Sequence, residues 1–266
     1  MKSILLHIRE DAGQQARLQA ALDIARLFGG HISCLQAMPF AAYAGEPFSG
    51  AMLTYEAYAE EMKAVRERLQ PQLERDDVPW DWIDSRGEGS IALLMNSMLA
   101  DLIVLSPGGG AFDPDATQPL VGEIAVKARV PVLVVPDSQR GIDGTAPIVI
   151  AWNGSAEAAN AVRNCRDLIG RSRAAHIVCV DEDADTHLPA RDAATYLSRH
   201  GIGVEVHARP RGNATVAATI AGVAAEVGAG IVVMGAYGHS RLFEFVLGGV
   251  TRTMLRDCQL PLLLSH

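Results

Sequence analysis

No apolar run in the chain approaches the ~20 residues that a membrane helix requires. Positive charge is also short: 23 Lys and Arg stand against 31 Asp and Glu, a formal net charge of −8. That balance argues against nucleic acid or an anionic membrane as the main partner. Cysteine is scarce, with Cys34, Cys165, Cys179 and Cys258 forming no Cys-x-x-Cys pair. Each sits in an apolar, strand-like or helical segment and reads as a buried, reduced thiol. The N-terminus runs straight into a strand-like segment without the design of a signal peptide, so the expected setting is cytoplasmic. Several chemical signatures are missing too. There is no Gly-Lys-Ser/Thr phosphate loop, no Gly-x-Gly-x-x-Gly fingerprint, and no Gly-x-Ser-x-Gly elbow around Ser155. His187, His200 and His207 have no Cys or acidic partner at metal-ligand spacing. The acidic segment 181–185 lacks the glycine and distal glutamate of a calcium loop. No catalytic residue and no metal site is therefore expected, and any turnover of a bound nucleotide should be slow.

What is present is a globular composition, 49% hydrophobic and 20% charged over 266 residues. That length suits one large domain or two ordinary ones, each with its own core. Apolar runs and helical periodicity alternate along the chain. Strands are expected at 4–8, 31–38, 80–85, 102–105 and 132–135. Between them come helices after Asp11, which can cap the first, and at 55–75, 90–99 and 121–128, with loops at 39–49 and 106–119. Residues 137–147 have the composition of a linker.

The same order then runs again. Strands are expected at 148–152, 176–179, 204–208, 231–234 and 260–264, with helices at 156–168, 188–200, 214–227 (capped by Asn213) and 250–258. His176-Ile-Val-Cys179 repeats His31-Ile-Ser-Cys34, and Leu260-Pro-Leu echoes Val130-Pro-Val. The expected fold class is α/β, two repeated doubly wound parallel-sheet domains, residues 1–137 and 146–266. In such sheets ligands bind beyond the carboxyl ends of the strands, where strand order reverses.

The second half carries one distinctive stretch. Gly235 and Gly238 follow the buried strand, and Gly248, Gly249, Val250 and Thr251 lead into the last helix, nine residues separating Gly238 from Gly248. Glycines at a strand end let backbone approach a ligand, and a helix N-terminus offers unpaired N–H groups to phosphate. This spacing resembles the nucleotide-binding pattern of the universal stress protein family: Gly, two residues, Gly, nine residues, Gly, then Ser or Thr. Gly249 departs from it where Ser or Thr is usual, and Thr251 matches. The resemblance extends over both halves, so the chain looks like a tandem member with a Rossmann-type, adenine nucleotide alpha hydrolase-like fold.

By matching position, the resemblance implies an adenine nucleotide, ATP or AMP, with or without Mg, in the second half. It would be held by Ala151, Trp152, Asn153, Val180, Met234, Gly235, Gly238, Gly248, Gly249, Val250 and Thr251. Asn153 stands where the family has an acidic residue, and turn chemistry alone would also explain Asn-Gly. In the first half Arg9, Ser106 and Gln118-Pro119 replace the corresponding features, so that half reads as structural. The family's last strands commonly pair across a two-fold axis. Residues 132–135 and 262–264 are accordingly expected to pair within one chain, the alternative being two independently tumbling domains on a flexible tether; a homodimer also stays open. Two other functions stay open: an interaction module whose glycines only pack, and a slow ATPase or adenylyl transferase.

Overall fold

The structure, a computed structural model, describes residues 1–38, 51–107, 117–181, 188–210, 212–236 and 249–266, with only the backbone described for 51–55 and 117–119. Ten strands form one sheet: β1 (Ser3–Ile8), β2 (His31–Met38), β3 (Trp80–Arg86), β4 (Leu102–Leu105), β5 (Val132–Val134), β6 (Ile148–Trp152), β7 (Ala175–Val180), β8 (Val204–Arg209), β9 (Ile231–Gly235) and β10 (Leu262–Ser265). Their order is β3-β2-β1-β4-β5-β10-β9-β6-β7-β8. Each neighbouring pair is parallel except β5 and β10, which run antiparallel. The expected pairing of 132–135 with 262–264 within one chain is present, and because it is antiparallel it turns the two expected parallel sheets into one mixed sheet. The strand order 3-2-1-4-5 occurs in both halves, but the apolar edges at β5 and β10 join them into one mixed sheet. An unpaired apolar edge would leave backbone donors and acceptors open, and pairing removes both edges.

The burial pattern follows position. β4, β5 and β10 are buried at every residue, as strands covered on both faces must be, whereas the outer strands β3 and β8 have no fully buried residue. One apolar layer carries α1 (Gln14–Phe28), α2 (Ala51–Arg75), α5 (Ala156–Asn164), α6 (Arg166–Ile169) and α7 (Ala190–Arg199). The other carries α3 (Gly89–Asn96), α4 (Thr117–Lys127), α8 (Val216–Glu226) and α9 (Gly249–Asp257). Both layers run across the junction of the halves, since each includes residues from β5 and β10.

Local chemistry shifts several expected boundaries. Asp11 does not cap α1: its Oδ1 accepts the Gly13 N–H at 3.0 Å, and Gly13 takes the cap position. Thr215, not Asn213, caps α8, its Oγ1 accepting from Ala218 N–H at 3.1 Å. The helix expected over 156–168 breaks at Cys165 into α5 and α6. The loop at 39–49 and most of that at 106–119 lie outside the described residues.

The linker is packed rather than open. Ile142 is buried and its N–H donates to Asp23 Oδ2 of α1 at 2.8 Å, while a Cβ at Gly144 would lie 2.6 Å from Leu27 Cδ2. Among the described residues no helix is long and apolar enough to cross a membrane. The four cysteines are free thiols, with Cys258 only half-buried rather than buried as expected.

Candidate functional site

The helices after β6 and β9 leave to opposite faces of the sheet, α5 to one layer and α9 to the other. That divergence marks the carboxyl ends of β6 and β9 as the place where an open α/β sheet takes a ligand. Strand alternation decides which expected residues meet there. Ala151 lies opposite Met234 on β9, and Ala151, Val180 and Met234 all pack into the α8–α9 layer. Trp152 takes the other face. It is 5% exposed, packs in the α5–α7 layer, and its indole N–H donates to the Leu188 carbonyl at 3.0 Å. Its side chain is thereby parted from the other three.

Asn153 is exposed and its Oδ1 accepts the Ser155 N–H at 3.2 Å. Gly154 follows with φ 71°, a left-handed position that suits glycine. Ser155 then caps α5, its Oγ accepting from Ala158 N–H at 3.2 Å. Asn-Gly-Ser therefore has a complete structural use as strand-to-helix turn, and the Asn153 carboxamide is partly engaged in it.

Gly235 also has a packing reason. A Cβ there would sit 2.6 Å from Ala158 N and from the Glu157 carbonyl carbon, so only glycine lets the first turn of α5 lie against β9. The first half keeps this close approach with the small residue on the opposite side. Ser106 directly follows β4, and it is Gly13, before α1, whose added Cβ would meet Ser106 Oγ at 2.6 Å and Asp137 Oδ1 at 2.3 Å. Sequence reading paired Ser106 with Gly235 and missed that Gly13 compensates. The clue is a glycine five residues beyond the first strand's end, at the place Glu157 holds in the second half.

Gly238 and Gly248 lie outside the described residues. Gly249 opens α9 and is exposed, and a Cβ on it would meet nothing within 4 Å. Val250 is half-buried and Thr251 is 5% exposed in the same first turn. The N–H groups of such a turn have no partner within the helix and favour an anion.

The corresponding end of the first half holds a cavity of about 600 Å³ beside β1, β2 and the start of α3. Arg9 and four carboxylates, Glu10, Glu61, Glu88 and Glu123, line it; Glu10 is paired with Arg68 and Glu123 with Lys127, which leaves Glu61 and Glu88 to set a lining less favourable to phosphate. Gln36 Oε1, also lining it, is buried without a hydrogen-bond partner. His7 is buried; desolvation first, then Arg17 and Arg9, push its pKa down to about 3, so it is neutral. Arg17, 1% exposed, ties this end together: Nη1 reaches Asp11 Oδ1 at 2.9 Å, Nε the His7 carbonyl at 3.0 Å, and Nη2 Gln14 Oε1 at 3.1 Å.

His207 needs a correction. It has partners at ligand distance, His176 and Glu205. They come from the neighbouring strand and from two residues back, a relation that sheet register creates and linear spacing hides.

One family match bears on this geometry. Residues 145–266 match the model of the universal stress protein family. No curated protein matches the chain. The crystal structure of a universal stress protein from Archaeoglobus fulgidus DSM 4304 superposes with a TM-score of 0.75, at 19% identity over 98% of this chain and 97% of that one. A functionally unknown protein from Pseudomonas aeruginosa PAO1 gives a TM-score of 0.63, at 15% identity over 100% of this chain and 92% of that one. The likeness is one of fold, and it extends over nearly the whole chain. The universal stress protein fold thus includes the first half, although the family model covers only the second.

Proposed function

We propose that the protein binds one adenine nucleotide, ATP or AMP, at the carboxyl ends of β6, β7 and β9, and acts as a cytoplasmic regulatory or stress-response protein. One observation carries this reading. The segment that matches the universal stress protein family model also carries Gly235, Gly238 and Gly248 at the family's spacing in sequence, and it contains β6 and β9, between whose carboxyl ends a doubly wound sheet takes ligands. In this reading Ala151, Val180 and Met234 form an apolar floor for the base, and the first turn of α9 with Thr251 receives the phosphates, with Mg as a companion ion. Trp152 and Asn153 shape the turn rather than grip the nucleotide. Residues 1–137 and 146–266 act as a tandem pair in which the first unit is structural, its carboxylate-lined cavity less favourable to phosphate. No group among the described residues of the site is placed to orient an attacking water, so turnover of ATP is slow or absent.

The interaction-module reading is favoured by Gly235, whose packing duty explains one glycine without any ligand. Analysis of small molecules released from the purified, denatured protein separates the two. Adenine nucleotide in the extract is the expected result. An empty extract, with no change in melting temperature on adding ATP or AMP, would favour the interaction module.

A further inference from the structure

We propose that His176, Glu205 and His207 form a binding site for one borderline divalent transition ion, of which zinc is the model. The three come together through sheet register. His176 on β7 is the direct partner of Glu205 on β8, and His207 lies two residues beyond Glu205 on the same face. His176 Nδ1 is 3.0 Å from His207 Nε2 and 3.6 Å from Glu205 Oε2, and His207 Nε2 is 3.8 Å from Glu205 Oε1. An ion with bonds of about 2.0–2.2 Å holds neighbouring donors roughly 3–3.5 Å apart, so small side-chain rotations suffice to seat it. The two rings are tilted by 48° with centroids 5.2 Å apart, so they meet through their nitrogens and not by stacking.

The chemistry of the donors selects the ion. Two imidazoles and one carboxylate suit zinc, cobalt, nickel or copper, whereas magnesium and calcium want oxygen alone. The His side chains are 12% and 11% exposed and Glu205 is 68% exposed, so the rings are largely sheltered while the carboxylate is free to swing inward. Three protein ligands leave at least one position open to water. The site is separate from the proposed nucleotide site, because His176 precedes Val180 by four residues, about 13 Å along the strand. A bound ion would clip the outer strand β8 to β7.

The full chain, freed of metal by chelator and dialysed, is titrated with zinc chloride by calorimetry. One zinc per chain with micromolar or tighter affinity is expected. His176→Ala and His207→Ala should each weaken it by more than about 100-fold, beyond what loss of a supporting partner costs. His200→Ala should leave it unchanged. Zinc should also raise the melting temperature of the unaltered protein. Should either histidine variant fail to fold, the His176 and His207 ring resonances of the unaltered protein are followed instead, and both should shift as zinc is added. Binding only at millimolar zinc, affinity unchanged in both histidine variants, or unmoved ring resonances would overturn the site.

Discussion

Gly235 and Gly249 show that two glycines of one motif answer to different forces. Gly235 is fixed by backbone: an added Cβ would strike Ala158 N at 2.6 Å, so its replacement reports on packing before it reports on any ligand. Gly249 has open space around its missing Cβ. Gly249→Ser should therefore be tolerated and, if phosphate sits at the first turn of α9, should tighten ATP binding by about fivefold to tenfold through one added hydroxyl. Isothermal titration of the variant beside the unaltered protein checks this, and equal affinities would move the phosphate elsewhere. His7 makes a different prediction. Its folded pKa of about 3 lies below the unfolded value of 6.5, so the unfolded chain takes up the proton first. The stability tied to its neutral form is complete above pH 6.5 and is lost as pH falls toward 3. Between pH 7 and pH 5 the loss from this group is about 2 kcal/mol. Urea unfolding at both pH values should show it, and His7→Gln should reduce the difference by that amount.

At the scale of elements, the inner strands were legible and the outer chemistry less so. β4, β9 and β10 announce themselves as short apolar runs because both faces of each are covered. Helix starts were harder to read, since Asp11 and Asn213 are sound capping types that lost to Gly13 and Thr215 at a distance of two residues. At Asp11 the carboxylate is shared between the Gly13 N–H and the Arg17 guanidinium, so it braces the helix start without taking the cap position. Alternation put Trp152 on the face opposite Ala151, yet position in a motif grouped them together. The cluster at His176 needed the register of β7 against β8, which no local pattern supplies. The junction of the halves rests on β5 and β10, where Leu133 faces Leu263 and both are 0% exposed. Leu263→Asp would bury an unpaired charge there and should cost more than about 3 kcal/mol, as measured by urea unfolding. A loss of under about 1 kcal/mol would mean that the junction contributes little.

The whole molecule uses one strand order twice and gives the two ends different chemistry. At the end of β6 and β9 the sequence keeps its glycines and a helix start that follows them, while at the end of β1 and β2 it places four carboxylates around a cavity. A sheet continuous through β5 and β10, with the linker packed on α1, holds both ends in one body. That asymmetry is the core of the functional proposal, and calorimetric titration of the full chain with ATP tests it most directly. One site per chain is predicted, abolished by Gly248→Asp and unchanged by Ser106→Ala. Two equivalent sites per chain, or a single site that survives Gly248→Asp, would contradict it.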